Sequence, residues 1–227
     1  MARLDRGGWT IETDDAALLE PALALAERQH AQLRETSGPA QLAEIECWYK
    51  HDRWRRKTRW RYALKRLLLQ PYPRRAERAN LIWLRERCFL AAEPLAVGEH
   101  RRAGIVDYGF LITRREQDAL PLEQKLAEGN AQERAALIDE LAREVARMHA
   151  LRFVHRDLYA RNLLVRPSGS PGRIVFLDCW AGGAGPGWRG RAYDLACLNS
   201  EARRLLSSEE REQLARTYSE ELRAQLR

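Results

Sequence analysis

The sequence predicts an α+β chain in two lobes: a small β-rich N-terminal lobe over residues 1–113, a hinge at 114–118, and a mainly helical, minimal C-terminal lobe over 119–227. Three observations predict it. Strand-like runs gather before residue 113, capped amphipathic segments with helical spacing gather after residue 119, and the polar stretch Arg114-Arg115-Glu116-Gln117-Asp118 separates them. With 227 residues, 45% of them apolar, the chain is long enough to bury a substantial core in one or two domains.

Taken in order, residues 1–40 are the least legible. Trp9-Thr10-Ile11-Glu12 reads as a strand, and the Ala/Leu-rich stretch from Pro21 to Leu33 as a helix with Pro21 at its first position, where a missing N–H costs nothing. Leu42 to Lys50 alternates apolar and polar residues as one half-buried strand that finishes on a Lys. Glu77 opens a helix whose apolar positions are Leu81, Ile82 and Leu84, and Pro94 closes it. Leu95-Ala96-Val97 and the run from Ile105 to Thr113 are further strands.

In the second half, Asn130-Ala131-Gln132-Glu133 is a capping box, an acceptor at the N-cap with a carboxylate three residues on. Ile138, Leu141, Val145 and Met148 follow it at helical spacing. Leu163-Leu164-Val165 and Ile174-Val175-Phe176-Leu177 flank the turn chemistry of residues 167–172 and read as a hairpin that ends on Asp178. Gly182 to Gly187 reads as a short flexible loop. Ser207-Ser208-Glu209-Glu210 caps a closing helix that packs through Leu214, Tyr218 and Leu222.

Composition excludes several classes. Cys47, Cys88, Cys179 and Cys197 are far apart and form no Cys-x-x-Cys pair, so neither a zinc site nor a disulfide framework is indicated. No stretch approaches the roughly 20 apolar residues of a membrane span, and residues 1–8 lack the apolar core of a signal peptide, so a cytoplasmic protein is expected. The net charge of +7 is uneven: eight basic residues from Arg53 to Arg66, followed by Arg74 and Arg75, interleave with Trp54, Trp60, Tyr62 and Tyr72. That composition suits an anionic membrane surface, and no nucleic-acid recognition module accompanies it.

His155-Arg156-Asp157 followed by Asn162, five positions after the Asp, sits between the predicted helix and the predicted hairpin. The spacing fits a loop for phosphoryl transfer. In that chemistry the protein mainly positions reactants and neutralises charge, so one carboxylate, Asp157, meets the acceptor hydroxyl. An amide oxygen, Asn162, and a second carboxylate, Asp178, hold a metal on the phosphates. A Lys at the end of an N-terminal strand, Lys50, reaches phosphate, and a helical Glu, Glu77, holds it. Adenine binds main-chain groups near Thr113 to Glu116. Asp194 reads either as an acceptor for the backbone of the catalytic loop or as a helix N-cap.

With these pieces in order the chain resembles the lipopolysaccharide core kinase family, the Kdo/heptose kinases of WaaP type, on the protein-kinase-like fold. The resemblance runs from Trp48-Tyr49-Lys50 through residues 75–84, 93–99 and 110–114 to His155-Arg156-Asp157-Leu158-Tyr159 and residues 191–199. His-Arg-Asp-Leu-Tyr separates it from the aminoglycoside phosphotransferases, which carry His-Gly-Asp there. The resemblance implies ATP- and Mg2+-dependent phosphorylation of a sugar hydroxyl on the lipid A–core precursor, at the inner face of the cytoplasmic membrane. It makes Asp157 the base or acceptor-orienting group, with His155 and Arg156 supporting it in the catalytic loop; Asn162 and Asp178 are the metal ligands. It assigns Lys50, Glu77 and Thr113 to the nucleotide.

A protein Ser/Thr kinase is one alternative, disfavoured because residues 119–227 leave little room for peptide-docking helices; two departures keep a pseudokinase that binds a nucleotide or a partner as another. Asp178-Cys179-Trp180 stands where protein kinases carry Asp-Phe-Gly, and only Ser37-Gly38 closely precedes Lys50 as a glycine loop.

Overall fold

Gly7 and Gly8 both take positive φ (57° and 86°) and close a two-residue hairpin between β1 (Ala2–Arg6) and β2 (Trp9–Thr13). Such a turn demands left-handed backbone at both positions, which glycine adopts without steric cost. The structure is a computed structural model and describes residues 1–32, 37–54, 72–167, 172–185 and 188–227. The chain divides into two units, Met1–Ile82 with Ala92–Glu116, and Trp83–Ala91 with Gln117–Arg227.

The first unit is built on a six-stranded antiparallel sheet in the order β1-β2-β6-β7-β4-β3. Its remaining strands are β3 (Gly38–Leu42), β4 (Ile45–Arg53), β6 (Pro94–Arg102) and β7 (Ile105–Arg114). The strand expected over Leu42 to Lys50 is in fact the end of β3, a turn, and most of β4. Leu42 pairs with Ile45, and Ala43 takes a left-handed φ of 52° between them. Neither Ala43 nor Glu44 carries turn chemistry, so the alternation reads straight through the bend. Helix α1 (Leu19–Ala31) starts two residues before Pro21, which still falls in the first turn, where its missing N–H is harmless. Ala22, Leu23, Leu25 and Ala26 of α1 pack on Trp9, Ile11, Tyr49, Tyr108 and Phe110 as this unit's core. Helix α2 (Pro73–Glu86) runs past the residue that divides the two units.

The second unit holds a four-stranded sheet in the order β5-β11-β10-β8. β5 (Leu90–Ala91) is parallel to β11 (Ile174–Phe176); β10 (Leu163–Val165) is antiparallel to both β11 and β8 (Leu120–Pro121). After α3 (Leu122–Glu128), helix α4 (Ala131–Ala150) begins on the expected box: Asn130 accepts from the Glu133 N–H and Glu133 accepts from the Asn130 N–H. Its buried stripe includes Ile138, Leu141, Val145 and Met148.

Two helices close the second unit, α5 (Trp188–Leu205) and α6 (Ser208–Gln225), the latter with its own complete box between Ser207 and Glu210. Arg134 of α4 bonds both oxygens of Glu210, at 2.7 Å each, and that guanidinium holds the Glu210 carboxyl below its usual range. Among the described residues no helix is long and apolar enough to cross a membrane.

Candidate active site

In the first unit Lys50 lies on β4 and Glu77 on α2. The Lys50 ammonium donates to the Glu77 carboxylate at 2.7 Å, and the Glu77 side chain is fully buried. Arg74, one turn earlier on the same helix, donates to the other Glu77 oxygen at 2.6 Å and to both oxygens of Asp52 at 2.8 Å. A carboxylate held by two cations inside low-dielectric surroundings is a fixed post, which is how a Lys ammonium is kept pointed in one direction. Replacing Glu77 with Gln retains the shape and removes the charge. The expected loss is about 1–3 kcal/mol, read as a lower urea midpoint with Lys50 and Arg74 intact. An unchanged midpoint would mean that the cluster is solvated and interchangeable.

Arg74 and Arg75 correct one expectation. Counted in the sequence with a basic surface segment, they are committed instead to carboxylates of their own unit. Arg75 donates to Glu12 at 2.7 Å and lies 3.4 Å from Glu99. Trp54 is buried, Tyr72 packs against it with ring centroids 5.4 Å apart, and Arg53 sits over the Tyr108 ring. Residues 55–71, which carry the rest of that basic–aromatic segment, lie outside the described residues. Thr113 is buried in β7, between Trp48 of β4 and Pro94 of β6. The N–H groups of Arg114 and Arg115 are already spent on the carbonyls of Glu93 and Glu46, which removes two of the main-chain donors expected to serve adenine.

In the second unit the loop between β9 (Phe153–Val154) and β10 carries His155, Arg156, Asp157 and Asn162. Asp194, one residue of α5, fixes it. The buried carboxylate accepts the N–H of His155 and the N–H of Arg156, each at 2.7 Å, and a third bond from the His149 Nε2 at 3.1 Å. Asp194 lies well inside α5, so it serves as the loop acceptor and not as an N-cap. These bonds hold Arg156 at a φ of 62°, a conformation that a non-glycine residue keeps only when its surroundings impose it.

The loop then closes on itself. The Asp157 carbonyl accepts from the Tyr159 N–H at 2.9 Å and from the Asn162 Nδ2 at 2.8 Å, and the Asn162 carbonyl accepts from the Leu177 N–H. The last bond ties the loop to the end of the hairpin, one residue before Asp178. With its nitrogen spent on Asp157, the Asn162 amide has its oxygen end left for another partner. Asp178 takes a left-handed φ of 56° and offers a second hard oxygen donor. Two oxygen donors of this kind suit Mg2+, which prefers carboxylate and amide oxygen to nitrogen or sulfur.

The segment after Asp178 is more ordered than a flexible glycine loop. Gly183 and Ala184, as β12, pair with Val154 and Phe153, and the Gly185 N–H bonds the Arg152 carbonyl at 2.9 Å. A Cβ at Gly182 would stand 2.5 Å from the Val154 carbonyl oxygen and 2.7 Å from that of His155. Only glycine lets this segment lie against the root of the catalytic loop. Residues 186 and 187 lie outside the described residues. Asp157 lines a cleft of about 580 Å3 with Arg156, Trp180, Ala181, Arg189, Gly190 and Tyr193, and its carboxylate lies 3.4 Å from the Arg161 guanidinium.

Comparison with known proteins bears on this arrangement. The family model described as lipopolysaccharide kinase (Kdo/WaaP) family matches residues 29–218. Among solved structures, WaaP in complex with acyl carrier protein aligns over 94% of this chain and 90% of that one, with a TM-score of 0.61 at 19% identity. That likeness gives the fold, a protein-kinase-like α+β architecture. A yeast RNA polymerase II CTD kinase complex aligns over 69% of this chain and 46% of that one, at 14% identity and a TM-score of 0.42, too low to carry an argument. No curated protein matches the sequence.

Proposed function

Because the chain belongs to the lipopolysaccharide kinase (Kdo/WaaP) family, and is therefore a kinase, we propose that it phosphorylates a sugar hydroxyl of the lipopolysaccharide core with ATP. The observation that carries this reading is the loop held by Asp194, which sets Asp157 at an open cleft, with Asn162 bonded to the Asp157 carbonyl and tied to Leu177, the residue before Asp178. Asp157 accepts or orients the proton of the acceptor hydroxyl. The oxygen of that hydroxyl forms the new bond to the γ-phosphorus, the bond from that phosphorus to the ADP oxygen breaks, and ADP leaves. Asn162 and Asp178 would hold Mg2+, which when bound neutralises charge on the phosphates. Lys50, steadied by Glu77, contacts phosphate, and Thr113 lies on the strand that leads to the adenine-binding main chain.

The reading extends to place. The basic residues from Arg55 to Arg66, with Trp60 and Tyr62 among them, suit docking on anionic headgroups at the cytoplasmic face of the inner membrane, each worth on the order of 1 kcal/mol near such a surface. One experiment tests both parts. Purified protein with Mg2+ and ATP is given a lipid A–core extract in anionic or in neutral vesicles, and ADP release is followed. Extract-dependent turnover with phosphate on a core sugar, faster on anionic vesicles, is expected. ATP binding without extract-dependent turnover, or phosphorylation of casein in its place, would overturn the glycolipid assignment. Equal rates on the two vesicles would remove the docking.

A further inference from the structure

Six large apolar or aromatic residues are exposed among the described residues, and two of them, Trp180 (41% exposed) and Tyr193 (53%), line the same cleft as Asp157. They come from different elements, Trp180 from the segment after Asp178 and Tyr193 from α5. An aromatic residue in a core packs its ring; these two leave theirs open to the cleft. A pyranose ring presents C–H bonds on one flat face, and their positive edges match the negative face of an indole or phenol ring.

Arg156 adds charge to the same wall. Several arginines of the second unit are spent: Arg134 on Glu210, Arg173 on Glu140, Arg161 on Glu201 and Asp157. The Arg156 guanidinium has no ion pair or hydrogen bond to the other described residues, is exposed, and stands on a backbone that Asp194 holds in a costly left-handed conformation. A free guanidinium, fixed at its root and adjacent to the acceptor-orienting carboxylate, is an anion receptor without its anion. Arg189 lines the cleft as well.

We infer that this cleft is a subsite for the anionic sugar of the acceptor. In it Trp180 and Tyr193 stack the ring, and Arg156 pairs with a carboxylate or phosphate carried by that sugar, which brings the neighbouring hydroxyl to Asp157. The inference rests on the function proposed above. It turns Arg156 from a support of the loop into a determinant of acceptor specificity.

The test compares wild type, Arg156→Ala, Arg156→Lys, Trp180→Ala and Trp180→Phe. Three acceptors are used: the lipid A–core extract, the same extract with its carboxylates amidated, and the same extract with its phosphates removed. Arg156→Ala is expected to raise the acceptor KM about tenfold or more with a smaller change in kcat. Arg156→Lys recovers part of the loss. The modification that removes the recognised anion raises the wild-type KM by a similar factor and erases the difference between wild type and Arg156→Ala. Whichever acceptor does so identifies the anion. Trp180→Ala raises KM and Trp180→Phe restores much of it.

The inference is overturned if Arg156→Ala lowers kcat at constant KM with every acceptor, the signature of a loop support. It is equally overturned if both modified extracts still distinguish wild type from Arg156→Ala as the unmodified one does. Should the wild type turn over none of the extracts, the proposed function fails separately. The subsite is then read by quenching of Trp180 fluorescence, taken as wild type minus Trp180→Phe, on adding glucuronate or glucose 6-phosphate. Quenching that Arg156→Ala abolishes supports the subsite, and its absence refutes it.

Discussion

Asp157→Ala is expected to lower kcat by about 10³- to 10⁴-fold while nucleotide affinity stays within about twofold of wild type. The size follows from the role proposed for the side chain. Proton acceptance and orientation of a hydroxyl by one positioned group account for most of the chemistry the protein supplies beyond charge neutralisation. The selectivity of the effect follows from the geometry. It is the Asp157 carbonyl, not its carboxylate, that accepts the two bonds from Tyr159 and Asn162. Both bonds survive truncation. So do the Asp194 bonds to His155 and Arg156. The variant should therefore keep its loop, the placement of Asn162 and Asp178, and its thermal unfolding midpoint. Asp157→Asn, which holds the shape but accepts a proton poorly, should be nearly as inactive. Turnover near the wild-type rate in either variant would move the acceptor-orienting role to another residue. A large loss of nucleotide affinity would instead make Asp157 part of the metal site.

Much of this was legible in the sequence because several kinds of signal agree in order. The helix before the loop announces itself through a capping box and a helical stripe, and the hairpin after it through two short apolar runs around a Pro/Gly/Ser turn. The loop between them is fixed by residue types that the chemistry demands. The structure sets Lys50 against Glu77, although β4 runs on to Arg53 and the Lys does not end it. What was not legible has particular causes. The bend at Ala43 is imposed by pairing with the neighbouring strand and leaves no trace in residue type. The Gly7-Gly8 hairpin does carry a turn signal, but the strand before it, Ala-Arg-Leu-Asp-Arg, has one large apolar residue and is too short for a period to be counted. Arg74 and Arg75 look like surface charge because their carboxylates come from as far away as Glu12 and Glu99. Trp180 and Tyr193 are invisible as a pair, since nothing in sequence brings the segment after Asp178 to one wall of α5.

Asp194, which the sequence offers either as an acceptor for the loop backbone or as a helix N-cap, is the residue on which the site depends most for its shape. Asp194→Ala should destabilise the protein by about 1–3 kcal/mol for each donor it strands and reduce turnover severely even where the protein remains folded. The carboxylate is fully buried and accepts three bonds, from the N–H of His155, the N–H of Arg156 and the ring of His149. A carboxylate only accepts, so the His149 Nε2 carries a proton toward Asp194, and the His149 Nδ1 lies 2.9 Å from the Tyr218 hydroxyl. A relay of bonds thus runs from α6 through α4 and α5 to the loop amides. Removing its centre strands three donors where no water replaces the acceptor, and it releases Arg156 from the left-handed conformation. Asp194→Asn separates the two consequences. Its amide retains one acceptor oxygen and sets an NH2 against a donor, so activity should fall further than stability. Tyr218→Phe, at the far end, should cost only about 1 kcal/mol, with turnover close to wild type. Urea midpoints and kcat for the three variants check the order. Equal midpoints for wild type and Asp194→Ala would show that the loop holds its shape by other means, and the strained backbone at Arg156 would then need a different cause.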